Sequence, residues 1–109
     1  MQLKEADIQK LQEVYTYIQN NPSLKPTAHD LAKLVSIPTD TFKQICLAHF
    51  GKTVQELITE LRMQKALELL SNHDLTIKQV ASQLGYSTIT SFYRSIKKHF
   101  NKTPVQLRK

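Results

Sequence analysis

The sequence has little of what extracellular, membrane and sheet-rich proteins need. Its 109 residues include one cysteine, Cys46, so no internal disulfide can form and a reducing compartment is expected. Two glycines and four prolines are too few for the many turns of a sandwich or barrel. The apolar runs are too short to cross a membrane, and nothing after Met1 resembles a signal peptide. These absences favour a small helical protein of the cytoplasm.

Acidic residues are also missing from the last third of the chain, where none follows Asp74. The whole chain has 15 Lys and Arg against 9 acids, a net charge of +6. A long segment of one sign indicates a polyanionic partner, whereas the lysines scattered through the first half are typical of a solvated surface. The basic residues after Asp74 are Lys78, Arg94, Lys97, Lys98, Lys102, Arg108 and Lys109.

Helix is the pattern that recurs along the chain. A threonine followed three residues later by an acid or glutamine predicts a capped helix start, and this pair occurs four times. The pairs are Thr27 with Asp30, Thr53 with Glu56, Thr76 with Gln79, and Thr103 with Gln106. With the apolar spacing between them, they predict an all-α protein of seven helices. The predicted helices are 5–20, 28–35, 39–50, 54–72, 77–84, 88–100 and 104–108.

The chain also contains an internal repeat. Residues 27–32 align with 76–81, and residues 49–53 align with 99–103, so the second copy has one extra residue around 87–90. Each copy predicts a short helix, a tight turn and a second helix. Gly85 suits the unusual backbone angles of such a turn, and Ser36 is its counterpart in the first copy. We therefore expect two helix-turn-helix, homeodomain-like subdomains at 1–52 and 73–109.

The segment 53–72 predicts a long helix that links these subdomains. Its apolar residues form two stripes, and the stripes begin nine residues apart, which at ~100° per residue places them on opposite faces. One helix of roughly 27 Å could then join two cores, close to the ~34 Å between successive major grooves of DNA. The stripes are Val54, Leu57, Ile58 and Leu61, then Met63, Ala66, Leu67 and Leu70.

With these segments in place, the chain resembles the DNA-binding domain of the AraC/XylS family of bacterial transcription regulators. The second copy carries most of the likeness, at 77–81, 84–87, 91–94, 97–98, 100 and 103–104, and the linking segment 61–70 also resembles the family. It implies that the third and sixth helices enter successive major grooves. The DNA-contacting residues it implies are Thr39, Asp40, Lys43 and Gln44 in the first copy, and Ile89, Thr90, Tyr93 and Arg94 in the second, with Lys97 and Lys98 near phosphates.

Individual residues leave alternatives open. Arg94 suits guanine but equally a phosphate, and Gln44 suits adenine. Asp40 could accept from cytosine, although stabilisation of the helix N-terminus is the preferred interpretation. Ile89 and Tyr93 could touch thymine methyls or pack within their own subdomain. Where the family usually has serine, this chain has Pro38, so Thr39 is expected to cap the third helix instead.

One pair of side chains in the sequence is a candidate for metal binding. Cys46 and His49 lie three residues apart on one helix, a spacing that can bind metal. No second pair of ligands accompanies them, so we expect a buried thiol beside a partly buried imidazole. No phosphate-binding glycine loop and no catalytic set stands out, and neither an enzyme nor a cofactor is expected.

The sequence therefore predicts a binder of double-stranded promoter DNA that contacts RNA polymerase, its domain acting as a monomer. The alternative is a helical module that binds protein. The acid-free basic segment discriminates between them, because DNA requires it and a protein partner does not. Family members usually carry a separate sensing or dimerising domain, and this chain is either a C-terminal fragment of such a regulator or a self-standing one.

Overall fold

The all-α prediction is confirmed. The computed structural model describes residues 2–108, and this part of the chain forms seven helices and no strands. Each helix ends within two residues of its predicted bounds. None of the helices in the described range is long and apolar enough to cross a membrane. The helices are α1 (Glu5–Asn20), α2 (Ala28–Leu34), α3 (Thr39–Phe50), α4 (Val54–Leu70), α5 (Ile77–Gln83), α6 (Ile89–Phe100) and α7 (Pro104–Leu107).

The helices divide into two compact units. The first unit consists of the residues up to Asn21 and Lys25–Glu60, and the second of Pro22–Leu24 and the residues from Leu61 onward. In the first unit α1 and α2 pack against α3, and in the second α5 and α7 pack against α6. The division falls inside α4, so each half of this helix belongs to a different unit.

The four predicted capping pairs all form. In each one the threonine hydroxyl accepts the backbone N–H three residues on, at 3.0–3.2 Å. The side chain at that third position accepts the N–H of the threonine, at 2.8–2.9 Å. These bonds satisfy backbone donors that have no partner inside the helix. They lower the pKa of Asp30 and Glu56, because the ionised carboxylate is the better acceptor.

The turn after the first helix of each repeat copy is closed in the same way. In the first unit the N–H of Ile37 donates to the carbonyl of Ala32 at 3.0 Å, and in the second Tyr86 donates to Ala81 at the same distance. This is a Schellman closure, which needs a left-handed residue just past the helix. Ser36 has φ 58° and Gly85 has φ 83°, so the predicted equivalence of the two turns is confirmed.

The extra residue of the second copy lies directly after this turn. Three residues, Tyr86–Thr88, separate Gly85 from the start of α6, whereas two separate Ser36 from the start of α3. The added length gives α6 a threonine at its N-cap, and Thr88 accepts the backbone N–H of Ser91 at 3.1 Å. The corresponding position before α3 is Pro38, which makes no side-chain cap.

The two apolar stripes of α4 are buried, with one exception. Leu67, predicted to be part of the second stripe, is 40% exposed. Seven residues of the stripes have no more than 7% of their surface exposed, namely Val54, Leu57, Ile58, Leu61, Met63, Ala66 and Leu70. The last three of these belong to the core of the second unit, together with Val80, Ala81, Leu84, Phe92 and Ile96.

Arg108 does not belong to the free basic surface that the sequence suggested. Its guanidinium donates to the carbonyls of Leu70 (3.0 Å), Asn72 (3.3 Å) and Leu75. Leu70 is the last residue of α4, where carbonyls have no partner within the helix. Arg108 therefore connects the segment after α7 to the end of α4. Its guanidinium is hydrogen-bonded within the second unit.

We predict that Arg108→Ala lowers the stability of the second unit by about 2 kcal/mol, because three carbonyls lose a charged donor. Arg108→Lys should recover only part of the loss, since an ammonium lacks the guanidinium fork. Hydrogen exchange of α5–α6 amides measures the effect. Lys102→Ala, which removes an exposed cation nearby in sequence, is the matched control, and an equal loss there would contradict the assignment.

The repeated turn allows a paired test. Ser36→Gly should stabilise the first unit by about 0.5–1 kcal/mol, because the left-handed conformation costs a non-glycine residue more than glycine loses through its freer unfolded chain. Gly85→Ala should destabilise the second unit by about 2 kcal/mol or more, because its Cβ would lie 2.4 Å from the backbone oxygen of Ser23. Unit-resolved hydrogen exchange checks both. A neutral Gly85→Ala would refute the close approach to Ser23.

Candidate nucleic-acid interface

The exposed side of α6 is basic. Thr90, Arg94 and Lys97 are spaced by four and three residues and are all exposed, so they share one face of the helix. Lys98 lies next to them, one turn after Arg94, and is also exposed. The opposite side carries Phe92 and Ile96, both fully buried in the core. Burial of these two residues turns the three cations outward.

The corresponding side of α3 is nearly neutral. Asp40, Gln44 and Leu47 have the same spacing as the exposed residues of α6 and are exposed as well. Lys43 lies beside them, while Phe42 and Cys46 face the interior. One lysine and one aspartate therefore cancel on this face, whereas α6 presents three cations and no acid.

The remaining predicted contact residues differ in exposure. Ile89 is 43% exposed at the start of α6, as expected of a residue free to touch DNA. Tyr93 is only half-buried and packs against the core of the second unit, which supports the alternative that it serves its own subdomain. Thr39 is half-buried at the start of α3. Its predicted role as cap is wrong, because Thr39 is already the first helical residue and Pro38 occupies the N-cap.

Two residues near α3 were missed in the sequence. Leu47, 53% exposed, lines a cleft of about 310 Å³ together with Lys43 and the first turn of α4. Its spacing from Asp40 and Gln44 could have identified it. His29, on α2, places its Nδ1 atom 3.1 Å from the hydroxyl of Thr39. Nothing in the local sequence indicates this contact, because it joins residues of two helices.

No metal centre is built by the residues that the structure describes, which hold no group of three or more His, Cys, Asp or Glu side chains placed to bind an ion. Cys46 is buried, and burial raises the pKa of its thiol. His49 is exposed and rests against the ring of Phe50, with centroids 4.9 Å apart. The expectation that His49 is partly buried is therefore wrong.

Comparison with known proteins identifies this arrangement. The family described as "Helix-turn-helix domain" matches residues 31–109, which is more than half of the chain and includes α3 and α6. The chain belongs to the AraC/XylS-type helix-turn-helix DNA-binding domains of bacterial transcription regulators. This is a family of sequence-specific DNA-binding domains and not of enzymes.

Individual relatives agree with the AraC/XylS-type assignment. The chain is 30% identical over 103 residues to the transcriptional activator RhaS of Pectobacterium atrosepticum, covering 94% of the chain and 37% of RhaS. A DNA-binding transcriptional dual regulator from Escherichia coli K-12 is 28% identical, with a TM-score of 0.77 over 91% of this chain and 94% of that one. An AraC-type regulator from Chromobacterium violaceum shares the fold, at 24% identity and TM-score 0.83, over 96% and 94% of the two chains. The chain spans about a third of the length of the curated relatives it matches.

The difference in charge between the exposed faces of α3 and α6 predicts that the two helices contribute differently to the salt dependence of DNA affinity. Each phosphate neutralised contributes ~0.9 to the slope of log affinity against log salt. Replacing Lys97 and Lys98 by Ala should weaken binding to all duplexes and reduce the slope by about 1–2 units. Replacing Lys43 and Gln44 by Ala should change sequence preference and reduce the slope by at most about one unit.

Titration of both double variants at several salt concentrations measures these slopes. All four side chains are exposed and lie on equivalent helices of the repeat, but the first variant removes two cations and the second removes one. Equal slope losses, or a larger loss from α3, would show that α6 does not supply most of the contacts with the phosphate backbone.

Proposed function

We propose that this domain binds double-stranded DNA as a monomer, with α3 and α6 in two consecutive major grooves. The observation that carries the proposal is the duplicated geometry: two Schellman-closed turns, each followed by a twelve-residue helix with one exposed polar face. Helix-turn-helix proteins with one such helix per chain dimerise to reach two half-sites. A chain with two such helices has both in one molecule.

Within this proposal the two helices have different roles. Arg94 on α6 pairs with guanine or a phosphate, while Lys97 and Lys98 neutralise phosphates. On α3, Gln44 suits adenine and Lys43 suits guanine or a phosphate. Ile89 and Thr90 contact base edges or sugars at the start of α6, and Thr39 does so at the start of α3. Pro38 supplies no side-chain cap, so backbone N–H groups at the start of α3 have no partner from the N-cap. The carboxylate of Asp40, in the first turn, stabilises this N-terminus.

The family supports a proposal for the biological setting. A DNA-binding domain of a bacterial transcription regulator acts in the cytoplasm, and binding beside a promoter brings it near RNA polymerase. We propose that the full protein regulates transcription through such a contact. The proposal is supported by the family membership and by the relatives named above, which are themselves transcription regulators.

Selection of bound duplexes from a random DNA pool, followed by footprinting, tests the function. We expect an enriched sequence with two protected segments about 10 bp apart on one face of the duplex, at a stoichiometry of one chain per site. Affinity should fall steeply with salt. One protected groove per monomer would refute the two-groove arrangement, and failure to enrich any duplex or to bind heparin would favour a protein-binding module.

A further inference from the structure

The N-termini of α3 and α6 are hydrogen-bonded differently in the two units. In the second unit, the hydroxyl of Thr88 caps α6 within the same segment of chain. In the first unit, Pro38 leaves α3 without a side-chain cap. The first residue of α3 is instead joined to the preceding helix, because the hydroxyl of Thr39 lies 3.1 Å from Nδ1 of His29. The repeat places Lys78 and Ile89 at the positions of His29 and Thr39 in the second unit, and Ile89 has no hydroxyl with which to make such a bond.

The bond between His29 and Thr39 can run in either direction. A threonine hydroxyl has one hydrogen to donate and two lone pairs to accept with. When the imidazole is neutral with its hydrogen on Nε2, Thr39 donates to Nδ1 and presents only lone pairs to its surroundings. When the imidazole is protonated, Nδ1 must donate to Thr39, and the hydroxyl hydrogen is released to another acceptor.

We propose that His29 is a specificity-determining residue of the DNA site, because its protonation fixes Thr39 as a hydrogen-bond donor toward DNA. The inference rests on the proposed function, in which α3 faces DNA. Phosphate oxygens and the N7 and O6 atoms of purines are acceptors, so the protonated state adds a bond that the neutral Nε2–H state cannot make. His29 acts through Thr39 and is a positioning residue.

Charged residues of both signs lie on the helices around this pair. On its own helix, His29 has Asp30 beside it and Lys33 one turn on. From α3, the helix packed against α2, the charged residues nearest in sequence to Thr39 are Asp40 and Lys43. In the first turn of α4, Glu56 is engaged by the N–H of Thr53 at 2.9 Å. These elements therefore carry three carboxylates and two ammonium groups, and DNA bound at α3 would bring further negative charge close to the imidazole.

The experiment measures affinity between pH 5.5 and pH 8 at constant salt, for duplexes selected from a random pool with the wild-type chain at pH 6. Wild-type affinity should rise about three- to tenfold as the pH falls, the range expected of one added hydrogen bond. His29→Gln keeps a donor and an acceptor but does not titrate, and should lose most of this dependence. Thr39→Val removes the hydroxyl and should lose it as well. His49→Gln and His99→Gln are matched controls that should keep it.

A second readout separates specificity from affinity. Selection repeated at pH 6 and pH 8 should give different preferences at the base pairs under the start of α3 for the wild type, and the same preference at both pH values for His29→Gln. Because His29 is exposed and Thr39 half-buried, both variants should keep the wild-type helix content, which circular dichroism checks.

Each alternative result is decisive. If His29→Gln retains the full pH dependence, the inference is wrong while the proposed function stands. If His29→Gln loses it but Thr39→Val retains it, His29 acts as a simple cation toward phosphate, and the donor mechanism is overturned. If no duplex is bound at any pH, the proposed function itself fails.

Discussion

The closure of the turn between paired helices is the constraint on which both units depend. A single left-handed residue, Ser36 or Gly85, lets the chain reverse while the N–H of the residue that follows it still donates to a helical carbonyl. Without this closure, the carbonyls at the end of α2 or α5 would lack partners and the following helix would have no fixed start. The direction of α3 and α6, and therefore the side chains that each exposes, follows from it.

The two copies of the repeat share this closure but have diverged in the chemistry of the exposed helix. The buried positions are apolar in both copies, and Phe42 and its counterpart Phe92 are both fully buried. The exposed positions differ in charge, because Gln44 and Leu47 in α3 correspond to Arg94 and Lys97 in α6. A core requires shape and apolarity, whereas an exposed face is free to change as long as it stays soluble. In the proposed function, this difference divides phosphate binding and base selection between the two units.

The same divergence extends to how each exposed helix is anchored. The one extra residue of the second copy allows Thr88 to cap α6 from within its own segment. In the first copy, which has Pro38 there, the side-chain hydrogen bond at the start of α3 is made with His29 of α2. The start of α3 is thus linked to a titratable neighbour, while the start of α6 is not.

The sequence by itself determined the seven helices, the four threonine caps and the two equivalent turns, because each depends on hydrogen bonds between residues at most five apart. It also determined which helices carry the exposed polar faces, since periodicity separates Phe92 from Arg94. Only the tertiary structure decided the use of Arg108, the half-burial of Tyr93, the exposure of Leu67 and the bond between His29 and Thr39. These depend on which helix faces meet, and Arg108 reaches carbonyls 33 to 38 residues away, a separation over which local pattern carries no information.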